Sequence, residues 1–237
     1  MSAPTERLRD PRQRAERAAR ILDAAADLLL RHGYRRVTID DVAAGAGIGK
    51  GTVYLHWKAR EQLFSAVFAR EVLYAVDELC QALRQDPRTC LLHRFARTYF
   101  LAIANRPLLR RFLLGDPELL GRLTSAPDTT RDERHSSAMH GYFRLLARDG
   151  LLRDDMSVEE AGFAYQATFE GFLRAEGVPS VDDPEQRADL LARTVQRAFE
   201  SESPAADAAV RDLADATIAL LGELIDVDRA EFGIPAA

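Results

Sequence analysis

The stretch Thr38–Arg60, TIDDVAAGAGIGKGTVYLHWKAR, limits the folds open to this chain more than any other part of it. Ile39, Val42 and Ala43 recur at helical spacing, and so do Val53 and Trp57, with four glycines between the two sets. This pattern predicts two short helices joined by a tight glycine turn. Thr38 is a natural N-cap for the first, and Asp40 and Asp41 fall in its first turn, where the helix dipole favours acids. The run Gly45–Thr52, GAGIGKGT, has a passing likeness to the phosphate loop G-x-x-x-x-G-K-[ST]. The spacing does not fit, because Gly51 stands where the magnesium-holding hydroxyl belongs. No buried strand precedes it either, so nucleotide binding is not expected.

Two uses of the helix pair stay open at this level. As part of a helical bundle it needs only Ile39, Val42, Ala43, Ile48, Val53 and Trp57 as core. That leaves Lys50, Thr52, Tyr54, His56 and Lys58 crowded on the second helix and its exit without a purpose. As a DNA reader it uses them. Gly47 makes the turn, Gly51 lets the helix approach a sugar–phosphate wall, and Lys50, Thr52 and Tyr54 reach phosphates or base edges. Lys58 and Arg60 then lie at a helix N-terminus, where backbone amides also favour phosphate. Such a helix fits a major groove about 12 Å wide.

The charge distribution favours the second use. The chain is 237 residues long with a net charge of −5, which argues against general nucleic-acid coating. Residues 1–60 carry 12 Arg and Lys against 7 Asp and Glu, and the remainder carries 20 against 30. A basic head on an acidic body implies that only the head meets a polyanion. Arg outnumbers Lys 30 to 2, which matches a GC-rich genome and tempers any weight placed on Arg alone. The N-terminus has no apolar secretory core, and no apolar run approaches the roughly 20 residues that span a bilayer. Cys80 and Cys90 are expected to be buried thiols rather than a disulfide, in a cytoplasmic setting.

The rest of the chain reads as helix throughout. Residues 1–15, Arg-rich with Pro4 and Pro11, are expected to form a flexible basic arm. A helix over Glu16–Arg31 precedes the central stretch, with Gly33 suited to its C-cap. Helices are expected over Glu61–Gln85 and from Pro87 to about Asn105, with short ones from Pro107 and Pro117. Further helices are expected over Arg131–Arg148, from a capping box at Ser157 and Glu160 to about Glu176, and over 185–201 and 205–227. Ser125–Thr130 and Gly177–Pro184 read as loops. No strand pattern and no fixed-period repeat is visible.

The run Ile21–Leu63 resembles the DNA-binding domain of the TetR family of transcriptional regulators. The resemblance is carried by ILDAA in the first helix, Gly33-Tyr34 after it, Thr38, Ala43, Gly47-Ile48, and Lys50-Gly51-Thr52-Val53-Tyr54 leading to Trp57. It implies an all-α homodimer that recognises a near-palindromic double-stranded operator and releases it on binding a small effector. It also implies a helix-turn-helix domain over 16–62 and a ligand-binding and dimerisation domain over 63–237. Carried over position by position, phosphate contacts fall on Thr38, Lys50, Tyr54 and Lys58. Base or groove contacts fall on Gly51, Thr52 and His56, and Arg60 occupies a position that is usually basic. Gly49 and Ala59 depart from the pattern, since each lacks the side-chain oxygen that caps a following helix, and Gly45 weakens the second helix.

On the same footing, effector candidates are Phe95, Tyr99, Ile103, Met139, Tyr142, Phe143, Gln166 and Phe169, a greasy set with a few polar groups. The dimer face is expected on two helices, through Phe163, Ala167, Glu170 and Gly171 and through Leu191, Thr194, Val195 and Ala198. His135 and His140, five apart, miss one helix face, so no metal site is expected. No catalytic motif and no cofactor site is apparent, and an enzyme is not expected. The competing function is a helical ligand- or partner-binding protein without DNA binding.

Overall fold

The computed structural model describes residues 10–116, 119, 129–175, 183–202 and 206–235. Among these, ten α-helices follow one another: α1 Pro11–His32, α2 Ile39–Gly45, α3 Lys50–His56, α4 Arg60–Gln85, α5 Leu92–Ala104, α6 Pro107–Leu113, α7 Thr129–Arg148, α8 Val158–Arg174, α9 Pro184–Phe199 and α10 Asp207–Phe232. A single 3-10 turn, Pro87–Cys90, precedes α5. The only β pairing among the described residues is an isolated antiparallel bridge between Leu152 and Glu200. The all-α expectation holds. No described helix is long and apolar enough to cross a membrane.

Several boundaries differ from the sequence expectation for local reasons. Helix α1 starts at Pro11 instead of Glu16, because Asp10 accepts a hydrogen bond from the Arg12 amide and proline at the first position presets the backbone. Arg12 and Arg14 of the expected arm therefore lie on a helix, while Arg7 and Arg9 are outside the described residues. The helix expected from Pro87 is broken at Leu91, whose ψ of 136° is extended. Helix α10 continues to Phe232, five residues past the expected end, and buries Ile234 beyond it. The helix expected at Pro117 and most of the loops at 125–130 and 177–184 fall outside the described residues.

The chain divides into two compact units. The first takes Met1–Leu73, Pro107–Pro127 and Asp226–Ala237; the second takes Tyr74–Arg106 and Asp128–Ile225. Helices α4 and α10 each contribute residues to both. In the first unit, Ile21, Leu22, Ala25 and Leu29 of α1 are buried, along with Leu63, Phe64, Val67 and Phe68 of α4. Phe68 stacks on Phe112 of α6 at 4.5 Å. Arg70, buried among them, is neutralised by Asp23 at 2.7 Å. In the second unit α5 packs along α9, burying Phe95, Ala96 and Ile103 on one helix and Ala188, Leu191, Val195 and Phe199 on the other. Polar contacts fix the register of this pair. Arg97 holds Asp189 at 2.7 Å and Glu185 at 2.6 Å, and His93 holds Glu200 at 2.8 Å. Helices α7 and α10 meet at Gly141, where a Cβ would stand 3.2 Å from the Leu220 side chain.

Candidate nucleic-acid interface and effector site

Helix α2 opens with a complete capping box. The Asp41 amide donates to Thr38 Oγ1 at 3.2 Å and the Thr38 amide donates to the Asp41 carboxylate at 2.8 Å. The Thr38 side chain, and then its backbone, hold the Asp41 carboxyl below its ordinary range. The turn that follows uses Gly47 at φ +65°, in the left-handed region, and the Ile48 amide returns to the Ala43 carbonyl at 3.0 Å. Helix α3 then starts at Gly49 with no side-chain cap, as its lack of an oxygen predicts.

One side of α3 is core and the other is free. Val53 and Trp57 are buried, and so are Ile39, Val42 and Ala43 of α2, whereas Ile48 is half-buried. Lys50, Gly51, Tyr54 and Lys58 are exposed and Thr52 is half-buried. Gly51 has no atom within 4 Å of where a Cβ would stand, so packing within the chain does not require it to be glycine. The Lys50 ammonium is held by Asp40 at 2.7 Å, and that hydrogen bond raises its pKa. Leu55 is 53% exposed, an apolar side chain on the open face that the sequence reading passed over. It lies four residues from Gly51 and three from Lys58, and that spacing alone places it there.

His56 and Arg60 are placed differently from the other candidates. The His56 ring is half-buried and stacks on Trp57 at 5.5 Å. Burial, helped by the charges of Arg14 and Arg17, lowers its pKa and favours the neutral ring. The Arg60 guanidinium lies 4.2 Å from the Tyr34 ring centroid and donates to the Tyr34 carbonyl. It is half-buried, and it ties the turn after α1 to the start of α4. Ala59 offers no cap to α4, but Gln62 reaches back and accepts from the Lys58 amide at 2.9 Å. A Gln three residues into a helix is the sequence signal for this arrangement.

In the second unit six aromatic side chains close into a ring. Centroid separations run from Phe95 to Tyr99 at 6.3 Å, to Phe169 at 5.8 Å, and to Tyr165 at 6.0 Å. They continue to Phe143 at 5.4 Å, to Tyr142 at 6.0 Å and back to Phe95 at 4.4 Å. Five of these six were expected from sequence. Ile103 is buried on the same helix as Phe95, and Met139 is half-buried on α7. Gln166 is not in this set. It is exposed and donates to Glu170 at 3.0 Å one turn along α8. Tyr165 takes the inward position, because Ala161, Tyr165, Phe169 and Leu173 form the buried stripe of that helix. The steps of four between them were visible in the sequence.

The expected dimer residues also separate. Phe163 is 78% exposed, and Ala167, Glu170, Gly171 and Ala198 are exposed with it, while Thr194 is half-exposed. Leu191 and Val195 are fully buried within the chain, because α9 turns that side toward α5. These two belong to the chain's own core and are not available to a partner.

The sequence profile described as "Bacterial regulatory proteins, tetR family" matches residues 21–67, the segment that holds α2, α3 and their scaffold. Residues 21–67 are thus similar to the DNA-binding domain of TetR-family regulators. The HTH-type transcriptional regulator AlkX of Mycobacterium tuberculosis is 34% identical to it over 139 residues. That match covers 54% of this chain and 64% of AlkX. Among solved structures, NalD, the secondary repressor of the MexAB-OprM multidrug efflux pump in Pseudomonas aeruginosa, aligns with a TM-score of 0.59. It is 23% identical, and the alignment covers 79% of this chain and 99% of NalD. SmeT in complex with triclosan aligns with a TM-score of 0.59 at 22% identity, covering 79% of this chain and 93% of SmeT. At these identities the two structures establish the fold.

Proposed function

We propose that the protein is a ligand-responsive DNA-binding transcriptional regulator, acting as a repressor that releases a palindromic operator when a small hydrophobic molecule binds its second unit. The observation that carries this reading is the open face of α3. Lys50, Gly51, Tyr54 and Lys58 stand clear of the core on a helix whose other side is locked by Val53 and Trp57. A cation pair, a phenol and a glycine of no use to packing suit a helix pressed against phosphates and base edges. Lys50 must exchange Asp40 for phosphate, and Thr38 must offer its oxygen outward while keeping its cap.

Operator binding requires two heads in successive major grooves, about 34–36 Å apart, hence a dimer. The exposed stripe of Phe163, Ala167 and Gly171 on α8, with Thr194 and Ala198 on α9, is the surface we assign to it. Phe163, 78% exposed, with the small exposed residues Ala167 and Gly171 one and two turns along the same helix, supports that assignment. The effector is assigned to the aromatic ring, in keeping with NalD's description as a repressor of a multidrug efflux pump and with SmeT's complex with triclosan. Helices α4 and α10, which contribute to both units, are the physical links through which an effector shifts the spacing of the heads.

The direct test is a mobility shift with the intergenic DNA flanking the protein's own gene. Saturable binding that weakens steeply with salt is expected. Absence of any shift at low salt would leave the alternative, a helical binding protein without DNA affinity.

A further inference from the structure

The second unit contains two fully buried tyrosines with opposite hydrogen-bonding fates. The Tyr142 hydroxyl donates to the Cys90 carbonyl at 2.8 Å. The Tyr165 hydroxyl is equally shielded from solvent and has no hydrogen-bond partner among the described residues. Its ring is surrounded by Phe143 at 5.4 Å, Phe169 at 6.0 Å and Phe199 at 6.3 Å, none of which can accept a conventional hydrogen bond. Burial raises the pKa of both phenols, so each keeps its proton and is a donor. A buried O–H without an acceptor is unfavourable, and phenylalanine at 165 would avoid that penalty while keeping the ring packing.

We infer that Tyr165 is the hydrogen-bond donor that reads the effector, and that the effector is a neutral, ring-containing apolar molecule with one acceptor such as a ketone, ester or lactone carbonyl. The inference rests on the effector reading of the aromatic ring given above. Neutrality follows from the lining. Apart from the tyrosines, Thr89 and Thr217 are the only buried polar residues among the described residues of the second unit, and the Thr217 hydroxyl is spent on the Leu213 carbonyl. The part-buried pair His93 and Glu200 is mutually satisfied at 2.8 Å. A carboxylate or ammonium brought into the ring would lose its water without gaining a counter-ion. A carbonyl loses less and regains a hydrogen bond from Tyr165. An all-aromatic surround, in which Phe95 stacks on Tyr142 and Tyr99 on Phe169, suits an aromatic or fused-ring body.

The test uses the full-length protein and two probes of like shape, benzophenone and diphenylmethane, which differ by one carbonyl. Affinities by equilibrium dialysis give the preference for the ketone over the hydrocarbon. Replacing Tyr165→Phe should lower that preference roughly tenfold, the worth of one hydrogen bond in a dry site. Diphenylmethane binding should be unchanged. The melting temperature of the ligand-free Tyr165→Phe protein should stay level or rise, because an unpaired hydroxyl is removed. If both probes bind and the preference survives in Tyr165→Phe, the inference is overturned while the effector reading stands. A fall in melting temperature also overturns it, since the hydroxyl would then already have a partner such as an ordered water. If neither probe binds the wild type, the effector reading of the ring fails, and the inference with it.

Discussion

The indole N–H of Trp57 donates to the main-chain carbonyl of Phe232 at 3.1 Å, joining the exit of α3 to the last turn of α10 across 175 residues of sequence. Trp57 is thus both the core anchor of α3 and the clasp for the end of α10. Replacing Trp57→Phe keeps a buried aromatic ring and removes the donor. The lost bond costs about 0.5–1.5 kcal/mol, with more from the smaller ring. Amides at 228–234 are expected to exchange faster with deuterium than in the wild type, and operator affinity to fall. Unchanged exchange there would show that the clasp contributes nothing.

The buried side of α9 and the exposed side of α8 make opposite predictions. Leu191→Ala removes a fully buried side chain from the α5–α9 core and should cost about 2–5 kcal/mol of stability, read by thermal or denaturant melting. Phe163→Arg on exposed α8 should leave the melt of the monomer nearly unchanged while shifting the protein from dimer to monomer in sedimentation velocity. A dimer that survives Phe163→Arg would move the interface elsewhere.

Lys50 is engaged by Asp40 at 2.7 Å before any DNA arrives. Asp40→Asn frees the ammonium and removes a carboxylate from the phosphate-facing side, so operator affinity at low salt should rise severalfold. Lys50→Ala should weaken binding and lower the slope of log affinity against log salt by about 0.9 for each head. Titrations at four or five salt concentrations measure both.

His56 gives the first unit a pH dependence of defined sign. Burial lowers its pKa below the ordinary 6.5, so the folded chain resists a proton that the unfolded chain accepts. Stability attributable to His56 is complete above the unfolded pKa and declines as pH falls below about 6.5, until the folded pKa is passed. His56→Gln should flatten this decline. Melting curves from pH 7.5 to 5.5 for both proteins provide the check, and parallel curves would remove His56 as the cause.

Much of this was legible in the sequence where the determinants are local. Thr38 and Asp41 form their capping box, Gly47 makes the turn, and Val53 and Trp57 point inward, because each depends on neighbours within a few residues. Arg60 was not legible. It sits where a cation could meet phosphate, but Tyr34, 26 residues earlier, supplies both a ring and a carbonyl that draw it in. On α9, steps of three and four put Leu191, Thr194, Val195 and Ala198 on one broad side of the helix. Only packing against α5 shows that its centre of burial runs through Ala188, Leu191, Val195 and Phe199, leaving Thr194 and Ala198 at the rim. Gln166 and Tyr165 are one residue apart, and the 100° between them along a helix decides which one lines the ring.

The first unit is assembled from three separate pieces of chain, with α6 and the end of α10 packed among the helices of the N-terminal segment. A head exchange made as a single cut after α3 would divide this unit. For this protein a graft of residues 1–62 would leave behind Phe112, the stacking partner of Phe68, and Phe232, the acceptor for Trp57. A chimera that keeps its operator preference intact must therefore carry 107–116 and 226–235 along with the N-terminal segment, or redesign the surfaces they cover.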